Sequence, residues 1–249
     1  MKYINPESND LRYYKREYHP LFNSYHQLDL KDLFNQCQKL AGDQVEALNL
    51  GATFQKEESF LYVVLRYKGV FHSKIDEAKK YYLVTYPMPA TVIEMYRYFY
   101  IIDEDNNLVF SLSSLWVMID SIKRTIKPAR AFKKRLESTL PEIVNIKPLS
   151  DERLEKIVVE NVNFEFKERI TINESHLDSN NHMNNTEYIA LIQKQLKDKE
   201  LKTIEINFNH ECLLNDELSI YQLNLDENNT CIKGIKEDKT ESFISTIIF

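Results

Sequence analysis

The side chains best able to do chemistry are concentrated in thirteen residues, His176-Leu177-Asp178-Ser179-Asn180-Asn181-His182-Met183-Asn184-Asn185-Thr186-Glu187-Tyr188. Asp178, Asn180 and His182 stand at every second position, so an extended loop would point all three the same way. Asn184 can cap a helix that follows, and Glu187, three residues later, resembles the partner in a capping box. The polar set is then expected beside a helix N-terminus, where backbone N–H groups can hold an oxyanion. Thioester hydrolysis asks for that pairing: donors for the developing negative oxygen, and a base or nucleophile next to it. Other readings compete. A calcium loop starting at Asp178 fails, because Met183 stands where glycine is needed and Ile189 where the closing glutamate is needed. A turn whose Asp and Asn merely satisfy backbone groups fits the composition as well as a catalytic loop does. A zinc site from Asp178, His182 and His210 has no compact ligand spacing behind it.

The elements that must position this loop are legible from periodicity. Leu30, Leu33, Phe34, Cys37, Ala41, Val45 and Leu48 recur at helical spacing, with Asp29 as the starting cap and Gly51 just past the end. Four strand-like runs follow, Phe60–Val70, Lys80–Tyr86, Met95–Ile102 and Leu108–Ile119, with a hairpin turn at Asp103–Asn107. In the second half, Phe164–Ile172 reads as a strand and Asn185–Leu196 as a helix. Strands near Thr203–Phe208, Glu217–Leu225, Thr230–Ile235 and Ser242–Phe249 complete it. Between the halves, Lys127–Glu152 carries Pro128, Pro141 and Pro148 and reads as a charged linker with a short helix. The expected class is α+β: two tandem hotdog domains, each an antiparallel sheet wrapped around a central helix, at 1–126 and 153–249, joined by 127–152. Two unrelated α+β lobes would give the same order of elements.

Composition removes several function classes. The 249 residues include only four glycines, Gly42, Gly51, Gly69 and Gly234, too far apart for a phosphate-cradling turn. A formal net charge of -6 argues against general nucleic-acid binding. Cys37, Cys212 and Cys231 form no disulfide framework, which points to a reducing compartment. No signal-like apolar stretch opens the sequence, and the run Phe60–Leu65 is too short to span a bilayer, so a cytoplasmic protein is expected.

The loop at 176–188 resembles the D-L-D-x-N-x-H-x-N-N-x-x-Y motif of plant acyl-acyl carrier protein (acyl-ACP) thioesterases and their bacterial relatives. Val84-Thr85-Tyr86-Pro87 is similar to the family's T-W/Y-P strand. Tyr96-Arg97-Tyr98-Phe99 with Ile101-Ile102-Asp103 is similar to its aromatic strand and turn. Ser114-Leu115-Trp116-Val117-Met118-Ile119-Asp120 is similar to its S-x-W-x-x-x-D strand, and Phe208-Asn209-His210-Glu211-Cys212 to its Y-x-x-E element. The likeness runs in order over roughly residues 10–249, and departs at His176, where the family has the first Asp of D-L-D.

The resemblance implies hydrolysis of fatty acyl-ACP to free fatty acid and holo-ACP, with Asp178, Asn180, His182 and Glu211 catalytic and no cofactor or metal. It places the acyl-chain pocket in the first hotdog. Asp178 would act as nucleophile or position water, Asn180 and His182 would orient it and the thioester, and Glu211 would activate the water. His182 is also a candidate acid for the leaving thiol. Cys212 next to Glu211 should point to the opposite face and be buried, and Trp116 reads as core. Lys123, Arg124, Lys127, Arg130, Lys133, Lys134 and Arg135 put seven positive charges into thirteen residues without an acid, a surface that could steer acidic acyl carrier protein. A solvated linker helix would look the same. An acyl-CoA thioesterase of the same fold and a non-catalytic acyl-binding hotdog protein are the alternatives. A monomer and a further homodimer are both open.

Overall fold

The computed structural model describes residues 11–24, 26–129, 153–160, 163–196 and 199–249. The first half runs β1 (Tyr14–Tyr18), α1 (Leu30–Ala47), α2 (Ala52–Glu57), β2 (Phe60–Phe71), β3 (Tyr81–Pro87), β4 (Met95–Asp103), β5 (Leu108–Asp120) and a short β6 (Ile126–Lys127). The second half runs β7 (Glu165–Thr171), a 3-10 turn (Glu174–His176), α3 (Asn185–Gln195), β8 (Thr203–Phe208), β9 (Glu217–Asn224), β10 (Asn229–Lys236) and β11 (Glu241–Ile248). Strands β1 and β6, the short α2 and the 3-10 turn were not anticipated from periodicity. They are two to six residues long, too short for a pattern of period 2 or 3.6 to declare itself.

The strands join into one eleven-stranded antiparallel sheet in the order β1-β3-β4-β5-β2-β8-β11-β10-β9-β7, with β6 added beside β5. Read outward from the centre, each half repeats one plan: first long strand, last, second-last, next, then the opening strand. The two hotdogs therefore meet edge to edge along β2 and β8, where Arg66 pairs with Asn207 and Val70 with Thr203. Pairing the two edges leaves neither β2 nor β8 as an open strand edge.

Helix α1 begins where the Asp29 carboxylate accepts the Asp32 N–H at 2.9 Å, a cap worth about 1 kcal/mol. It buries Leu33, Phe34, Cys37 and Leu40 against the sheet. Helix α3 buries Tyr188, Ile189 and Ile192. The helices also hold each other: Gln193 of α3 donates to the Leu28 carbonyl at 2.7 Å and accepts from the Leu30 N–H at 2.9 Å. Lys31 pairs with Glu187 at 2.7 Å. The apolar core is shared, since Tyr67 of β2 packs edge-on against both Phe34 and Phe208, with ring centroids 5.4 and 5.6 Å apart.

Candidate active site

The polar loop is not extended. Residues Asp178–His182 form a tight turn in which the Asp178 N–H donates to the His182 carbonyl at 2.8 Å and the Asn181 N–H to the Asp178 carbonyl at 3.1 Å. Asn181 takes the left-handed conformation (φ 62), which Asn tolerates better than most residues. The alternation of Asp178, Asn180 and His182 thus does not align three side chains as an extended loop would. It lets the Asp178 Oδ1 gather the backbone N–H groups of Asn180 at 2.8 Å and His182 at 3.2 Å. Asn180 is exposed at the tip of this turn and meets Asp178 through its backbone. A carboxylate bound this way is fixed through one oxygen, and Oδ2 has no hydrogen-bond partner among the described residues.

Asn184 caps α3 as anticipated, its side chain accepting from the Thr186 N–H at 2.9 Å. Glu187 does not close a capping box; its carboxylate reaches Lys31 on α1 instead. A capping box forms instead at the 3-10 turn, where the Asn173 side chain accepts from the Ser175 N–H and His176 Nδ1 accepts from the Asn173 N–H at 3.1 Å. His176 is thereby a capping residue.

Glu211 arrives from the loop after β8. Its Oε2 lies 3.5 Å from His182 Nε2 and also receives the Arg124 guanidinium. His182 is bridged to Leu213, and the Met183 N–H donates to the Cys212 carbonyl at 2.9 Å, so the two loops are bound backbone to backbone. Cys212 points inward, wholly buried, with its Sγ 3.2 Å from Ser242 Oγ. Its N–H donates to the Tyr188 hydroxyl at 3.2 Å, tying α3 to the Glu211 loop. His210 Nδ1 meets the Glu241 carbonyl at 2.9 Å, and among the described residues no three His, Cys, Asp or Glu side chains are grouped to hold a metal ion.

Beside the turn opens a cavity of about 740 Å³, within the range of small-molecule pockets. Its walls are mostly apolar, from Ala41 and Val45 of α1 with Leu48 at its C-cap, and from Met88, Val92 and Met95 around the start of β4. Asp178 and Asn185, the first residue of α3, line it from the second half. Trp116, expected in the core, packs half-buried against it, edge-on to Tyr67, and also lines the cavity; its indole N–H donates to Ser114 Oγ at 2.7 Å.

A family model for the acyl-ACP thioesterase N-terminal domain matches residues 11–131, and one for the acyl-ACP thioesterase C-terminal domain matches residues 159–246. The chain belongs to the acyl-ACP thioesterase family. It is a thioester hydrolase with the double hotdog fold. Among solved structures it is similar to an acyl-ACP thioesterase from Bacteroides thetaiotaomicron VPI-5482, with a TM-score of 0.82 and 20% identity over 96% of this chain and 98% of that one. It is also similar to a 12:0-ACP thioesterase from Umbellularia californica, with a TM-score of 0.79 and 13% identity over 95% of this chain and 96% of that one. At such identities the likeness is one of fold. No curated protein matches the sequence. No helix among the described residues is long and apolar enough to cross a membrane.

In this thioesterase the sequence pattern had no signal for Arg124 as a partner of Glu211. Asp120 places it: its Oδ1 accepts from the N–H groups of Ile122 at 3.0 Å and Lys123 at 2.8 Å, and the Arg124 N–H donates to its carbonyl at 3.0 Å. Those hydrogen bonds hold the exposed Asp120 carboxyl below the usual carboxylate range. The final Asp of the S-x-W-x-x-x-D stretch is thus a turn former. Of the basic run, Lys123 is exposed, Arg124 is engaged by Glu211, and Lys127 donates to the Glu58 carbonyl. Arg130, Lys133, Lys134 and Arg135 lie outside the described residues.

Proposed function

We propose that the chain hydrolyses fatty acyl-ACP to free fatty acid and holo-ACP with Asp178, Asn180, His182 and Glu211 as its catalytic residues. The observation that carries this reading is Asp178 itself, a carboxylate fixed by two backbone N–H groups that is also a wall of the largely apolar cavity. An acyl chain in that cavity brings its thioester carbon to the unbonded Oδ2, which attacks it or holds the water that does. The N-terminus of α3, next to Asp178 at Asn185, offers its dipole to the developing oxyanion. Glu211 and His182 then form the proton-handling pair, Glu211 accepting from water and His182 serving the leaving thiolate. Asn180, at the exposed tip, orients the incoming thioester and its pantetheine arm.

The test is fatty acid release by purified protein from acyl-ACPs of graded chain length, run beside Asp178→Ala. Release that falls by about 10³-fold in kcat in the variant is expected. Near-full turnover of Asp178→Ala would remove the scheme at its centre.

For the carrier, the reading is docking of acidic acyl carrier protein on the basic run 123–135, through Lys123, Arg130, Lys133, Lys134 and Arg135, with Arg124 and Lys127 anchoring the segment from within. Reversing Lys123, Arg130 and Lys133 to Glu should raise KM for acyl-ACP about tenfold and leave short acyl thioesters untouched. Equal effects on both substrates would sink the docking idea. The units are read as an N-terminal hotdog at 1–126 holding the acyl pocket, a linker at 127–152, and a C-terminal hotdog at 153–249 holding the catalytic residues. The mirrored strand order about β2 and β8 supports that division.

A further inference from the structure

The acyl cavity is not apolar throughout. Arg97 of β4 points to the same side as Met95, two residues before it, and like Met95 lines the cavity. It is only 8% exposed. Burial lowers its pKa to about 10, so it stays a cation at neutral pH. A buried guanidinium is ordinarily matched by a carboxylate. Here, among the described residues, its partners are neutral: Nη1 donates to Gln44 Oε1 at 2.5 Å and to Thr85 Oγ1 at 3.0 Å. Gln44 is itself wholly buried and anchored, donating to the Leu11 carbonyl at 2.7 Å. The β4 backbone is also fixed, since Ser114 Oγ donates to the Arg97 carbonyl at 2.7 Å.

Both bonds leave from Nη1. A guanidinium has five N–H groups, so Nε and Nη2 keep three that are unspent among the described residues. Among the described residues, the sealed polar side-chain atoms lacking a partner are Tyr18 Oη, Asp32 Oδ2 and Asn207 Nδ2, with no atom of Arg97 among them. The remaining Arg97 donors are therefore not sealed off, and the residue that carries them lines the cavity. A plain hydrocarbon tail laid along this wall would displace water from those donors and return nothing.

We propose that the cavity selects acyl chains that carry an oxygen acceptor beyond the thioester, a hydroxyl, keto or carboxylate oxygen, and that Arg97 receives that oxygen. The proposal rests on reading the cavity as the acyl chamber and narrows the substrate class within it. A carboxylate would be met in two-pronged fashion by Nε and Nη2, and a hydroxyl or keto oxygen by one of them.

The experiment is calorimetric binding of acyl-pantetheine analogues with an amide in place of the thioester, matched in length. One set is plain, one bears a hydroxyl or keto group at successive carbons, and one ends in a carboxylate. At least one oxygenated chain should bind about tenfold tighter than its plain counterpart, as a charge-assisted hydrogen bond allows. That ratio should fall to about one in Arg97→Met and survive in part in Arg97→Lys. Which set wins tells a hydroxy- or keto-acyl substrate from an ω-carboxy one. Equal binding of plain and oxygenated chains by the wild type overturns the proposal without needing any variant, while turnover of plain acyl-ACP leaves the thioesterase reading standing. Binding of no chain at all would overturn the acyl-chamber reading and this one together.

Discussion

The turn before α1 and the turn before α3 have nearly the same backbone. In the second half the Asp178 N–H donates to the His182 carbonyl at 2.8 Å; in the first the Asn23 N–H donates to the equivalently spaced Gln27 carbonyl at 2.8 Å, the earlier residue being the donor in both. The left-handed residue is Asn181 in one (φ 62) and His26 in the other (φ 57). Bridges Leu177–Met183 and Phe22–Leu28 close them, and Asn184 and Asp29 cap the helices that follow. Asn23 Oδ1 accepts from the Gln27 N–H at 3.1 Å as Asp178 Oδ1 accepts from the His182 N–H at 3.2 Å.

The side chains part company there. Asn23 Nδ2 donates to Gln27 Oε1 at 3.1 Å, so in the first turn the two side chains meet each other. A carboxylate has no donor to offer, so in the second turn Asp178 faces the cavity and His182 turns to Glu211. One geometry thus serves structure where its pair is amide and amide, and under the proposed function it serves chemistry where its pair is acid and imidazole. The backbone positions; the functional groups decide.

Asp178→Asn makes the second turn resemble the first and is the sharpest test. Oδ1 can still accept both N–H groups, so the fold should hold while kcat for acyl-ACP falls by about 10³-fold. Unfolding instead of inactivation would break the comparison. His182→Gln completes the imitation; the loss of proton handling should cost about 10²-fold in kcat. Arg124→Met frees Glu211 from its cation. An exposed pair of this kind contributes about 0–1 kcal/mol, so kcat/KM should move by no more than about fivefold, and less as salt rises. Asn23→Asp carries the change the other way: losing the bond to Gln27 should cost about 1 kcal/mol in thermal or urea unfolding and add no turnover.

The smallest effect expected is on pH dependence. Burial raises the Asp216 pKa, but the hydrogen bonds from Lys236 and the Leu213 N–H outweigh it, and the net shift is downward. Lys236, bonded to Asp216 at 2.8 Å, is shifted upward and also donates to the Glu211 carbonyl at 3.3 Å. The Asp216 contribution to stability is therefore complete above the ordinary carboxylate range and lost as pH falls through its lowered pKa. That of Lys236 is complete below the ordinary lysine value and lost as pH rises through its raised one. Lys236→Met should bring the acid-side loss to higher pH, measured as the acid midpoint of unfolding. An unmoved midpoint would show that the Glu211 loop is held by its backbone bridges alone.

Long elements declared themselves because a periodic apolar face is imposed by burial against a core. Strand Thr203–Phe208 has the anticipated bounds, and α1 begins at the anticipated residue under the anticipated cap. The polar types in the loop were legible too, and so was the opposed orientation of Glu211 and Cys212. The shape of the loop was not: alternation suggested an extended chain, whereas local hydrogen bonds from Asn180 and His182 to Asp178 fold it into a turn. Capping by Asn184 was readable because it depends on neighbours two residues away. The Glu187 box was not, because a lysine 156 positions earlier competes for the same carboxylate.

What the sequence determined by itself is what short-range chemistry dictates: two helices, most of the strands, and a polar turn leading into the second helix. Only the tertiary structure decided that Arg124 reaches Glu211 across 87 residues of chain. It also decided that Trp116 and Arg97 border the cavity and that the two sheets fuse along β2 and β8. The reason is one of range. A residue's periodicity and capping are set by neighbours a few positions away, but its partners across a cavity are set by where the whole chain closes.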